Sequence, residues 1–192
     1  MGLPSTAEDH SAESDSSERR RRRRIIEWIA LIAIALVIAF VCRAFVAQTF
    51  EIPTDSMVPT LEPNDRVLVN KLAYRFRDPH RGDVVVFHSP PVEQKRGYSY
   101  LVKRIVGMPR DTIEGRDGLV YINGKQLAEP YLGPEVESKT FGPTRVPEGR
   151  YFMLGDNRLV SEDSTVWHSL KRSAIVGPVF VRIWPPSRVG GL

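Results

Sequence analysis

Three short stretches hold residues whose types and spacing suit acyl-transfer chemistry. Ser56 lies in Ile52-Pro53-Thr54-Asp55-Ser56-Met57-Val58-Pro59-Thr60, between two prolines. Each Pro fixes φ near about −65° and biases the residue before it toward extended backbone. A serine held so stiffly is aimed, as a nucleophile must be, although the same constraint also makes an ordinary rigid turn. A nucleophilic serine needs a base, and a neutral lysine can serve. A free lysine has a pKa of about 10.4, and lowering it to about 7–8 takes about 3–4 kcal/mol of burial. Lys103 has a setting for that in Tyr100-Leu101-Val102-Lys103-Arg104-Ile105-Val106. On a strand Leu101, Lys103 and Ile105 share one face. The other reading of Lys103 is an edge-strand lysine that deters aggregation.

The third stretch is Gly155-Asp156-Asn157-Arg158-Leu159-Val160-Ser161-Glu162-Asp163-Ser164, directly after an apolar run. It reads as a solvated loop with Asx turns, or as a polar network that orients the lysine, with Ser161 or Ser164 supplying a hydroxyl partner. The sequence has no G-x-S-x-G elbow, no H-E-x-x-H and no Walker loop. His10, His80, His88 and His168 are scattered, without metal-ligand spacing. Triad partners meet in space rather than in sequence, so a histidine base stays open.

These residues need elements to position them. The 192-residue chain carries 42% hydrophobic residues, enough for one core. Its single cysteine, Cys42, excludes an intrachain disulfide. Five acids and six arginines fall in residues 1–24, and the remaining 21 basic against 18 acidic residues leave no nucleic-acid footprint. Residues 1–18, rich in Ser, Glu and Asp, bury too little apolar surface to order themselves, so residues 1–24 read as a disordered tail ending in Arg19–Arg24. The apolar run Trp28–Cys42 follows. Residues 25–46, at about 1.5 Å each, reach about 33 Å, against about 30 Å of bilayer hydrocarbon. They are predicted to be one transmembrane helix, its N-terminus on the cytoplasmic, Arg-rich side. A cleavable leader fits less well: Ala44 and Ala47 have Cys42 and Phe45 at −3.

Residues 47–192 are predicted to be a mainly β, extracytoplasmic domain, an antiparallel barrel or sandwich. Runs of four to seven residues, such as 66–69, 83–87, 100–106, 111–114, 119–122, 149–154 and 179–184, are β-branched and bounded by Gly, Pro, Asn or Asp. Asn123-Gly124 is a hairpin signal. The stretch 133–147 reads as a loop.

Four blocks in order, IPTDSMVPTL (52–61), GDVVVF (82–87), KRIVGMPRDT (103–112) and GDNRLVSEDS (155–164), resemble the type I signal peptidases of bacteria, in their compact Gram-positive-type form. The resemblance implies a membrane-anchored endopeptidase with a Ser-Lys dyad that removes signal peptides from exported precursors, cutting after small residues at −1 and −3. It implies that Ser56 is the nucleophile and Lys103 the general base. Thr54 with the Ser56 N–H would form the oxyanion hole, Ser161 would hydrogen-bond the lysine, and Asp163 would be a structural acid. Ile52, Met57, Leu101 and Val102 are candidate walls of the substrate pockets. The expected partners are precursor proteins and the lipid bilayer, with no nucleic acid, obligate protein partner, metal or cofactor. The sequence departs from the family pattern at three places: Thr165 where an Arg is usual, Arg110 in place of a usual Gly, and His168 near a usual Gly. A tethered, non-catalytic peptide-binding β-domain is the alternative. A soluble Ser-Lys autoprotease of the stress-repressor type shares the chemistry but not the apolar run.

Overall fold

The computed structural model describes the backbone of residues 7–41 and 47–192, and side chains of residues 21–40 and 47–192. The chain divides into two units, Met1–Ala44 and Phe45–Leu192. In the first, helix α1 spans Ala7–Val41. It takes in residues 7–24, where composition predicts disorder. Straight-chain Glu and Arg lose little rotamer freedom in a helix, and Arg23 pairs with Glu27 one turn on, at 3.2 Å. Among the described residues no helix is long and apolar enough to cross a membrane. Residues 42–46, where the predicted span ends, lie outside the described residues.

The second unit is antiparallel throughout. Strands β1 (Ala47–Glu51), β2 (Arg66–Asn70), β3 (Val84–His88), β4 (Tyr100–Gly107), β5 (Thr112–Arg116), β6 (Leu119–Ile122), β7 (Lys125–Gln126), β8 (Phe141–Arg145), β9 (Arg150–Leu154), β10 (Leu170–Lys171), β11 (Ile175–Trp184) and β12 (Gly190–Gly191) form two sheets. The larger runs β1-β2-β11-β3-β4-β9-β10, with β12 on β11, and the smaller runs β7-β6-β5-β8. Single-turn helices α2 (Ala73–Phe76), α3 (Pro91–Gln94) and α4 (Ser164–Trp167) lie in the connections.

The unalternating run Val84-Val85-Val86-Phe87 has a direct cause. Successive strand residues face opposite sides, and both sides of β3 are buried. Val84 and Val86 pack with Val67, Val69 and Val179. Val85 and Phe87 pack with Ile105, Tyr151 and Met153. Strand β9 alternates likewise: Tyr151 and Met153 enter that second cluster, while Phe152 and Leu154 join Val106, Ile113, Val120 and Val146 between the two sheets. The β6–β7 hairpin turns at Asn123 and Gly124, with φ 53° and 79°. Both central residues of a type I′ turn need positive φ, which is why Asn-Gly serves there.

Strand β8 corrects the sequence reading, since it lies inside the stretch 133–147 expected to be a loop. It pairs with β5, and Phe141 stacks on Phe152 with ring centroids 5.6 Å apart. Pro143 hides it from a strand search, yet β8 is an edge strand, where proline is tolerated.

Candidate active site

The loop after β1 is fixed by apolar anchors. Ile52, Met57 and Leu61 are buried in the first core cluster. Ile52 N–H donates to Asp65 O at 2.9 Å, and Asn64 N–H donates to Ile52 O at 2.8 Å. Two further backbone bonds, Val58 N–H to Asp55 O at 3.0 Å and Leu61 N–H to Met57 O at 2.9 Å, wind the segment into tight turns. With Met57 pinned inward, its neighbour Ser56 is held half-buried at the rim.

Strand β4 brings Lys103 to this serine. Lys103 sits opposite Val85 in the β3–β4 register, and its side chain is almost fully buried, 3% exposed. Its Nζ lies 2.6 Å from Ser56 Oγ. Thr54 Oγ1 is 3.2 Å from the same oxygen. Burial pushes the Lys103 ammonium down to about 8, against the opposite pull of the Asp163, Glu93, Asp156 and Asp55 carboxylates. An amine in that state is neutral about half the time near pH 8 and can take a proton from a hydroxyl it touches.

The 155–164 stretch is largely buried structure rather than solvated loop, with only Leu159, Val160 and Glu162 exposed. Asn157 N–H donates to Ser56 O at 3.1 Å, and Asn157 Nδ2 donates to Asp55 O at 3.2 Å, so this stretch grips the serine's backbone. Ser161 is fully buried, and its Oγ has no hydrogen-bond partner among the described residues. The expected Ser161–Lys103 hydrogen bond is thus absent from this geometry. Ser164 Oγ accepts from Met153 N–H at 2.9 Å, which ties the stretch to β9. Asp163 is buried and accepts from Gly155 N–H at 3.2 Å, Thr165 N–H at 3.1 Å and Thr165 Oγ1 at 2.8 Å. Where an arginine partner is usual, the Thr165 hydroxyl satisfies this carboxylate instead.

The two other departures also have a place. Arg110 and His168 have φ of 73° and 67°, the left-handed region that glycine enters freely and other residues enter under strain. A glycine is the unstrained choice at both.

Sequence reasoning missed Arg104 and Asp156. Arg104 makes a two-pronged ion pair with Asp156, Nε–Oδ1 2.8 Å and Nη2–Oδ2 2.6 Å. Both are buried, and Thr60 Oγ1 donates to Asp156 Oδ2 at 2.5 Å. The pair links β4, the serine loop and the 155–164 stretch. A signal existed: an arginine inside an apolar strand needs a buried acid. Its location did not, because the partner is 52 residues away.

Two clefts meet at Ser56 and Lys103. A small one of about 40 Å³ is lined by Ile52, Met57, Leu101 and Val102, the four residues expected to wall a pocket, together with Phe50 and Tyr100. The other, about 230 Å³, is lined by Asp55, Glu93, Arg96, Tyr98 and Glu162 among others. None of His80, His88 and His168 lines either cleft: His80 Nδ1 is 2.8 Å from Arg77 Nη1, and His88 packs on Tyr100.

The family model described as "Signal peptidase, peptidase S26" matches residues 25–184. The "Probable signal peptidase I-1" of Synechocystis sp. is 43% identical over 171 residues, covering 88% of this chain and 87% of that protein. The "Signal peptidase I" of Leptolyngbya laminosa is 37% identical over 190 residues, covering 97% and 93%. A crystal structure of a signal peptidase I from Enterococcus faecalis V583 has a TM-score of 0.46 and 35% identity over 53% of this chain and 97% of that one. A match spanning the anchor candidate, the serine loop, the lysine strand and the 155–164 stretch, with relatives alike over nearly their whole length, means that this chain belongs to the signal peptidase family, peptidase S26, and removes signal peptides from precursor proteins.

Proposed function

We propose that Ser56 is the nucleophile and Lys103 the general base of this cleavage. The observation that carries the reading is the 2.6 Å contact between Lys103 Nζ and Ser56 Oγ, made by a lysine buried enough to lose its proton near pH 8. In the reactive state the Ser56 hydroxyl donates to neutral Nζ. As Ser56 Oγ attacks the scissile carbonyl, its proton passes to Lys103. The oxyanion receives hydrogen bonds from the Ser56 N–H and the Thr54 hydroxyl, and removing one such donor typically costs about 10²–10³ in kcat. The Lys103 ammonium then protonates the leaving amine. In deacylation, neutral Lys103 takes a proton from water, whose oxygen attacks the acyl-serine, and returns it to Ser56.

The substrate segment binds extended, by β-augmentation. A pocket of about 40 Å³ beside Ser56 suits a methyl-sized side chain, in keeping with small residues at −1. Residues 25–46 anchor the chain with Arg19–Arg24 on the cytoplasmic side and the β-domain outside. The Arg block before the apolar run supports that orientation.

Cleavage of a peptide with an Ala-x-Ala site tests the site assignment. Ser56→Ala and Lys103→Arg are both expected to be inactive, since guanidinium does not deprotonate in this range. Near-wild-type turnover by Lys103→Arg would remove the dyad and return His80, His88 and His168 to consideration. For topology, external protease on wall-breached cells is expected to digest the β-domain and spare an N-terminal tag.

A further inference from the structure

The wall of the larger cleft that faces the dyad is charged, and nothing in the chemistry above uses it. Arg96 follows α3, and Glu162 belongs to the 155–164 stretch. Arg96 forms an ion pair with Glu162 and also reaches Glu93 Oε1 at 3.4 Å. Glu93 is buried, whereas about half of the Arg96 and Glu162 side chains stays in water. Asp55, beside the nucleophile, is exposed and lines the same cleft. Lys103 is neutral when it acts as base. At that moment three carboxylates, Asp55, Glu93 and Glu162, face the single guanidinium of Arg96, which two of them already hold.

The two clefts differ in what they can receive. The small apolar one takes the side chain before the scissile bond. The two clefts share Thr54, Ser56, Leu101 and Lys103, so a polypeptide leaving the small one at Ser56, past the group that must protonate the departing nitrogen, enters the charged one.

Resting on the Ser56–Lys103 reading, we propose that the cleft walled by Glu93, Arg96 and Glu162 receives the first residues after the scissile bond. It selects there for cationic over acidic side chains, with Glu162 as the determinant. An incoming lysine or arginine finds a half-exposed carboxylate. An incoming acid meets excess negative charge, and its one cation is already shared.

The test uses the full-length enzyme in detergent micelles and peptides with one Ala-x-Ala site. They differ only in Lys or Glu at the second residue after the bond. A half-exposed charge pair changes affinity by up to about fivefold; attraction of one peptide and repulsion of the other together give about a tenfold preference in kcat/KM for Lys. Glu162→Gln is expected to narrow that ratio to about threefold and Glu162→Arg to bring it to one or below. The preference also shrinks in 1 M salt. Because each ratio compares two peptides on one enzyme, partial loss of folding cancels. An unchanged ratio in Glu162→Arg overturns the proposal. So does an equal effect of Glu162→Arg when the Lys/Glu pair is moved to the second residue before the bond, since that is a general field and not a subsite. If Ser56→Ala cleaves these peptides as fast as wild type does, the dyad reading falls and this proposal with it. Cleavage without charge preference removes this proposal alone.

Discussion

Arg104, the residue after Lys103 on β4, and Asp156, inside the 155–164 stretch, meet as a buried, two-pronged ion pair. Removing one partner strands the other charge in the core, which typically costs about 3–5 kcal/mol. Asp156→Ala is therefore expected to lower Tm by roughly 10 °C or more for a domain of this size. It also frees the Thr60 hydroxyl, so the serine loop loses a tether. A melting scan that finds Asp156→Ala as stable as wild type contradicts this role.

Lys103 links activity and stability through pH. Its folded pKa of about 8 lies below its unfolded value of about 10.4. Below about pH 8 the folded state must carry a buried charge, so this group destabilises the protein there. Between about 8 and 10.4 the unfolded chain binds more protons, and stability from this group rises with pH. The difference corresponds to about 3 kcal/mol at neutral pH, of which the lost contact to Ser56 takes back about 1. Lys103→Met is expected to be inactive yet to melt higher than wild type at pH 7, with the gap closing toward pH 10. For wild type, kcat/KM is expected to rise with pH through about 8. A flat Tm difference across that range would speak against a buried, depressed lysine.

Thr54 Oγ1 lies 3.2 Å from Ser56 Oγ. If it donates to the oxyanion, Thr54→Ala loses roughly 10²-fold in kcat with little change in KM. Thr54→Ser keeps most of the activity. Steady-state kinetics of the two variants decide it, and an alanine variant with wild-type kcat removes Thr54 from the hole.

Gly155 has no room for a side chain. A Cβ there would lie 2.2 Å from Ser161 Oγ and 2.4 Å from the Ser56 carbonyl oxygen. The obstacle on one side is backbone, which cannot swing away, so Gly155→Ala must move Ser56. The expected result is a loss of activity of at least tenfold in a protein whose melting still shows a folded domain. Full activity in Gly155→Ala would show that the serine loop tolerates the shift.

His168 sits at φ 67° and ψ −167°, a region that is essentially glycine's own and costs other residues about 1–3 kcal/mol. His168→Gly is expected to raise Tm by several degrees. Arg110→Gly, at φ 73°, is expected to give a smaller gain, since it also loses an exposed ion pair with Glu148. A lower Tm for His168→Gly would mean that its side chain holds more than its backbone loses.

Much of this protein was legible from the chain alone. The two prolines marked Ser56 because they restrict backbone locally. Leu101 and Ile105 marked Lys103 because a strand's period of two puts all three on one face. The run 84–87 and the Asn123-Gly124 turn became β3 and the β6–β7 hairpin, since both signals act within a few residues. Other features rest on contacts between distant residues. Strand β8 forms only because β5 offers it an open edge. The Arg104–Asp156 pair spans 52 residues. The depth at which Lys103 lies depends on every strand packed around it. Sequence marked the candidate reactive groups. Packing decided that the lysine touches the serine and is dry enough to lose its proton, because burial and proximity are properties of the assembled sheets and not of any one strand.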